Sequence, residues 1–115
     1  LYAEALHVNS SYITAVANDY GFEETYARMV EASGRKGDIL IGISTSGNSP
    51  NVVKAIQKAK DKSMLTIGFT GINGGKLNDI CDIMIRVPSD DTPRIQEAHI
   101  LIGHIICQLI EEEMF

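Results

Sequence analysis

"GDILIGISTSGNSPNVVKAI", residues 37–56, is the stretch on which the fold turns. Ile39, Leu40, Ile41 and Ile43 follow one another almost without a polar break, the pattern of a strand buried on both faces. The run stops at Ser44, Thr45, Ser46, Gly47, Asn48 and Ser49. Apolar residues then return at helical spacing as Val52, Val53, Ile56 and Ala59, with Pro50 suited to a first helical turn. A strand, a polar turn and a helix in succession are the building block of a parallel sheet.

The flanks repeat that alternation. Upstream, "YAEALHV" (residues 2–8) is expected as a strand, and "NSSYITAVAND" (9–19) as a short helix capped by Asn9, Ser10 or Ser11 and ending at Asn18 and Asp19. "GFEETYARMVEASGR" (21–35) sets Phe22, Tyr26, Met29 and Val30 on one helical face, with Gly34 as a stop. Downstream, "MLTIGFT" (64–70) and "DIMIRVP" (82–88) have the pattern of strands, and "GGKLNDICD" (74–82) that of a short helix or turn. "TPRIQEAHILIGHIICQLIEEEMF" (92–115) is a long helix, with Thr92 expected as its N-cap and Pro93 as its first residue. Right-handed crossovers then imply a parallel sheet with helices on both faces, a three-layer αβα sandwich, and ligands at the carboxyl ends of its strands.

No repeat or linker divides the chain, and 115 residues with 44 % hydrophobic and 22 % charged content suit one domain with one core. The net charge is −5 and the ten basic residues are scattered, which argues against nucleic acid as a partner. Cys81 and Cys107 lie in apolar sequence without CxxC spacing, so two buried thiols in a reducing cytoplasm are expected. No apolar run reaches membrane-spanning length, and "LYAEALHV" lacks the uninterrupted apolar segment of a signal peptide, so no membrane partner is expected.

The polar turn sits where such a sheet binds ligands. A helix N-terminus offers unpaired N–H groups and the positive end of the helix dipole, and so attracts anions, phosphate above all. Hydroxyls add neutral donors, and Gly47 lets the backbone come close. The ordinary alternative is a cap, Ser49 ahead of Pro50, but a cap needs one hydroxyl and this turn has four, from Ser44, Thr45, Ser46 and Ser49. GK[ST] is missing, so this is not a nucleotide P-loop.

The same stretch resembles the phosphosugar-binding strand, loop and helix of the sugar isomerase (SIS) domain. "AVANDYGFEE" (15–24), "TGINGGKL" (70–77) and "IRVPSDDTPRIQEAHILIGHIICQLIE" (85–111) extend the resemblance over nearly the whole chain. They are similar to the branch that interconverts sedoheptulose 7-phosphate and D-glycero-D-manno-heptose 7-phosphate, which supplies heptose for lipopolysaccharide and other surface glycans. The resemblance implies a flavodoxin-like sandwich over residues 1–115, N-terminally incomplete, and phosphate held by Ser44, Thr45, Ser46 and Ser49. It implies that Asn18 and Asp19 face the sugar, whereas the residues alone suggest a helix stop there. It gives Gln96 and His104 to substrate and, in metal-containing members, to zinc. Eight helical residues set those two Cα atoms about 12 Å apart, a long reach to one metal at ligand distances of about 2 Å. A polar pair on so apolar a helix requires partners in any case.

An aldose–ketose conversion moves a proton between C1 and C2 through an enediol, and His104 is the residue suited to act as its acid or base near neutral pH. His99 has no such family role and is expected to be surface or structural. The family's second catalyst is a glutamate upstream of the residues seen here, near a histidine metal ligand and a Gly-Asn-Gly-Gly-Ser loop, so the isolated 115-residue piece is expected to be inactive. The resemblance further implies a homo-oligomer, a tetramer. Two other uses of the fold are the alternatives, a non-catalytic regulator that binds the replication initiator protein, against which the presence of His104 and the full serine turn weighs, and a sensor of sugar phosphates, against which the long last helix and the lack of a basic module weigh. Arg94 is left between steering phosphate and pairing with Asp90 or Asp91.

Overall fold

The computed structural model describes residues 2–115. Along them run α1 (Ser10–Tyr20), a 3-10 turn (Phe22–Glu24), α2 (Thr25–Ser33), β1 (Ile39–Ile43), α3 (Pro50–Asp61), β2 (Leu65–Thr70), α4 (Leu77–Ile80), β3 (Ile83–Arg86) and α5 (Thr92–Met114). The strands form one parallel sheet in the order β1-β2-β3, with Ile39 opposite Leu65, Ile43 opposite Phe69, and Phe69 opposite Ile85.

Residues 2–8 form no strand. Apart from the half-buried Leu6 they run exposed, through a turn in which the Val8 amide donates to the Ala5 carbonyl, and they leave the outer edge of β1 unpaired. Alternation alone does not make a strand when the segment pairs with no neighbour. The helix that follows starts as expected, the Asn9 side chain accepting from the Tyr12 amide at 3.0 Å. α5 starts one residue earlier than expected: Asp91 is its N-cap, Thr92 is already helical, and no side chain caps it.

β1 packs tightly on one face only. Leu40 and Gly42 point to α3, and a Cβ on Gly42 would come within 3.0 Å of Val52 and 3.1 Å of Ile56, so glycine lets the helix lie close to the strand. Val53, Ile56 and Leu77 form the core there, and Val30, Ala55, Ala59 and Met64 continue it under α2. On the opposite face Ile39, Ile41 and Ile43 are 57, 46 and 57 % exposed, against the expectation of burial on both sides. Phe69 alone is sealed there, by His99 of α5 stacked edge-on at 5.5 Å. The parallel α/β sandwich is therefore present, with its second helical layer reduced, among the described residues, to the first turns of α5. The sequence records that both faces are apolar, which is a different property from both being covered by this chain. Cys81 is half-buried and Cys107 exposed, so only the first approaches the expected buried thiol. Among the described residues no helix is long and apolar enough to cross a membrane.

One polar clamp ties β2 to β3. Thr66, fully buried, donates its amide and hydroxyl to Asp82 Oδ2 at 2.9 and 2.7 Å, and Lys60 Nζ donates to Oδ1 at 2.8 Å. The Lys60 ammonium, with help from Thr66, lowers the Asp82 carboxyl to about 2. A carboxylate whose folded value lies below its unfolded one stabilises the fold above the unfolded value of 3.8 and loses that contribution as pH falls towards about 2. D82N should therefore lower the urea midpoint at neutral pH, and the gap from wild type should close on acidification below about 3.8. A gap that stays constant with pH would show that the charge is not what stabilises the clamp.

Candidate functional site

The turn expected to bind an anion joins the end of β1 to the start of α3. Ser49 is the N-cap residue of α3, yet its side chain makes no cap hydrogen bond. Its Oγ lies 2.8 Å from Ser44 Oγ, which is 3.5 Å from Ser46 Oγ. The hydroxyls are thus gathered on one another and not spent on the helix. Ser44 is 5 % exposed, Thr45 and Ser49 are half-buried, and Ser46 is exposed, so the first lies beneath the others and only the rest can meet a ligand directly.

The turn is held by backbone. The Ser44 amide donates to the Phe69 carbonyl, the Gly71 amide to the Thr45 carbonyl at 2.9 Å, and the Leu77 amide to the Gly47 carbonyl at 3.1 Å. Gly47 has φ 68°, and a Cβ there would lie 2.0 Å from the Gly74 carbonyl oxygen. Gly74 and Gly75 also have positive φ, 73° and 55°. Asn48 joins the two loops: its Oδ1 accepts from the Lys76 amide at 2.9 Å, and its Nδ2 donates to the Ser46 carbonyl at 3.2 Å. The sequence reading gives neither Asn48 nor the Gly74-Gly75 loop a role at the site, although "TGINGGKL" is part of the resemblance. The signal was there in "NGG" (73–75), a turn former that supplies positive φ, but nothing local says that it would meet the serine turn.

A cleft of about 290 Å³ opens beside the turn, lined by Thr45, Ser46 and Asn48 on one side and by Ser89, Asp90 and Thr92 on the other. The remaining expected site residues are not among its walls. Asn18 and Asp19 are exposed at the end of α1, joined to each other by an Nδ2 to Oδ1 bond of 3.0 Å. Gln96 and His104 are exposed on α5, so the pair expected to need partners faces solvent within this chain. Arg94 pairs with Glu97 at 2.5 Å, and with neither Asp90 nor Asp91. His99, expected at the surface or in a structural role, is the buried histidine, its Nε2 3.1 Å from the Thr70 carbonyl oxygen.

Among the described residues no three His, Cys, Asp or Glu side chains come together as metal ligands. Gln96 and His104 alone are two donors of the four that a tetrahedral zinc ion takes, so these residues do not make a complete zinc site. The cleft itself holds hydroxyls, an amide and the Asp90 carboxylate, a set that suits a hydroxyl-rich ligand with an anionic end.

Residues 1–71 match the SIS domain family. Over 111 residues the chain is 58 % identical to phosphoheptose isomerase 2 of Campylobacter jejuni, covering 96 % of this chain and 55 % of that one. It is 53 % identical over 111 residues to the phosphoheptose isomerase of Aneurinibacillus thermoaerophilus, with 96 and 56 % covered. The solved phosphoheptose isomerase of Neisseria gonorrhoeae superposes with a TM-score of 0.95 at 45 % identity, over 97 % of this chain and 62 % of that one. This chain thus spans little more than half the length of its curated relatives. The serine turn, its strand and helix, and the sheet order all fall within a shared fold, and the chain belongs to the SIS domain family.

Proposed function

We propose that the protein to which this chain belongs is a phosphoheptose isomerase, which interconverts sedoheptulose 7-phosphate and D-glycero-D-manno-heptose 7-phosphate for surface-glycan heptose. The observation that carries the proposal is the serine turn, whose hydroxyls gather on one another and leave the N-cap of α3 without a side-chain bond. The relatives named phosphoheptose isomerase support it over 96 % of the chain. They favour it over the regulatory and sensory uses of the fold.

In this reading Thr45, Ser46 and Ser49 hold the phosphate and Ser44 supports them from beneath. Asn18, Asp19 and Gln96 bind the sugar, and His104 moves the proton between C1 and C2, with a partner base or acid from outside this chain. The zinc implied by the family would take Gln96 and His104 together with donors beyond this chain, and when bound would polarise the substrate carbonyl. The apolar surface of α5, with Ile100 and Leu101 66 and 61 % exposed, supports a homo-oligomer, a tetramer in the family's manner. A cytoplasmic location goes with a phosphorylated sugar substrate.

The test is isomerisation of sedoheptulose 7-phosphate by the full-length protein. H104A should lose about a hundredfold or more in kcat, and a chelator should lower turnover where zinc takes part. A folded protein that binds the sugar phosphate without turning it over would sink the isomerase reading.

G47A tests the turn itself. The added methyl group meets the Gly74 carbonyl, and positive φ costs a residue with a side chain about 1–2 kcal/mol. The variant should lose at least that much stability by denaturant titration and bind sugar phosphate at least tenfold more weakly. Unchanged affinity in the folded variant would mean that the two loops need not interlock for binding.

A further inference from the structure

His99 is 5 % exposed and stacks on Phe69, while its Nδ1 is buried without a hydrogen-bond partner among the described residues. A carbonyl cannot donate, so the Nε2 that faces Thr70 O at 3.1 Å must carry the proton, and Nδ1 is left as a bare acceptor. An apolar side chain of similar size would seal Phe69 without burying that acceptor. The polar bond to Thr70 is what the imidazole adds.

That bond ends on an unusual acceptor. The Thr70 carbonyl and the Gly71 amide are the two ends of one planar peptide group. The carbonyl receives His99 Nε2 and the Val87 amide, at 3.1 and 3.0 Å, while the amide donates to the Thr45 carbonyl at 2.9 Å. A single rigid unit therefore has α5 on one end and the serine turn on the other. Ile95, one turn before His99, lies against the same unit, since a Cβ on Gly71 would meet its Cδ1 at 2.6 Å. Packing by Ile95 and hydrogen bonding by His99 together fix the height and rotation of α5. Gln96 lies about 60° and His104 about 140° around the helix from His99, so their directions are fixed with it.

We propose that His99 is a positioning residue: through the Thr70–Gly71 peptide it sets the helix that carries Gln96 and His104 relative to the turn that carries Thr45. The proposal deepens the isomerase reading and rests on it for its kinetic arm. The serine turn keeps its own supports through Gly47 and Asn48 when His99 is changed, so phosphate should still bind while the reacting carbons and His104 lose alignment.

The experiment compares H99L, H99Q and H99N in the full-length protein. The amide of Gln reaches as far as Nε2 and restores the donor, whereas that of Asn falls short. H99L and H99N should lose about 10- to 100-fold in kcat with KM within about twofold of wild type, and H99Q should recover most of the loss. Hydrogen exchange at the Gly71 amide should speed up in H99L and H99N and return towards wild type in H99Q, a readout that needs no turnover. Folded H99L with wild-type kcat and Gly71 exchange overturns the proposal, as does H99Q behaving no better than H99N. Should H99L fail to fold, the contrast between H99Q and H99N decides. If the wild-type protein shows no isomerisation, the isomerase reading fails, and Gly71 exchange alone decides the positioning role.

Discussion

Two backbones meet at Gly47 and Gly74 with no room for a side chain between them, and the site depends on that contact. It is possible because β1 and β2 are adjacent and end level, with Ile43 opposite Phe69, so the loops leaving them emerge side by side. Once interlocked, the loops satisfy one another's main-chain groups, through Gly47 to Leu77 and Thr45 to Gly71. Asn48 adds a side-chain bridge to Lys76. The shape of the serine turn is thus set largely by backbone and glycine, with Ser46 Oγ accepting from the Asn48 amide and the Ser44 and Ser49 hydroxyls bonded to each other. A site that relied on those hydroxyls to hold its own fold would have fewer donors left for a ligand.

The same economy of side chains sets the sheet against α3. Gly42 removes the atom that would hold the helix away, which brings the N-terminus of α3 to the end of β1 where the turn must close. On the far side the strands present Ile39, Ile41, Ile43 and Ile83 to solvent. The energetics of the two faces therefore differ within this chain: one is a packed core, while the other holds apolar area whose burial would contribute about 25 cal/mol per Å² once covered.

Most of the element order was legible because α3, β2, β3 and α5 combine strong periodicity with turn residues at their ends. Segment 2–8 was not, since Tyr2, Leu6 and Val8 alternate weakly and a strand also needs to pair with a neighbour, which the segment's own residues do not specify. The serine turn was legible through an excess of hydroxyls over what a cap requires. Its division of labour was not: Ser44 and Ser46 are the same residue type two positions apart, and only the fold makes one buried and the other exposed. His99 and His104 show the same limit. Both stand on an apolar helix, five residues apart, and which of them is buried follows from where α5 crosses Phe69.

The buried hydroxyl has a consequence for recognition. Each serine has one proton to donate, and Ser44 and Ser49 share a bond of 2.8 Å whose direction either can set. If Ser49 donates to Ser44, only its lone pairs are left for a ligand and they repel an anion; if Ser44 donates to Ser49, the Ser49 proton is free. An anion bound at Ser49 would select the second arrangement. Ser44 then acts without touching the ligand, by accepting nothing from Ser49 and turning its neighbour into a donor. Among the described residues no Lys or Arg lines the cleft to enforce this. Arg94 is engaged with Glu97, and Asp90 on the opposite wall adds a negative charge. Attraction at long range is therefore weak, and an anion there would have to be held by short-range donors that demand several acceptor oxygens in fixed directions. In the proposed reading a phosphate group at the turn supplies those oxygens, and Ser89 and Thr92 line the same cleft.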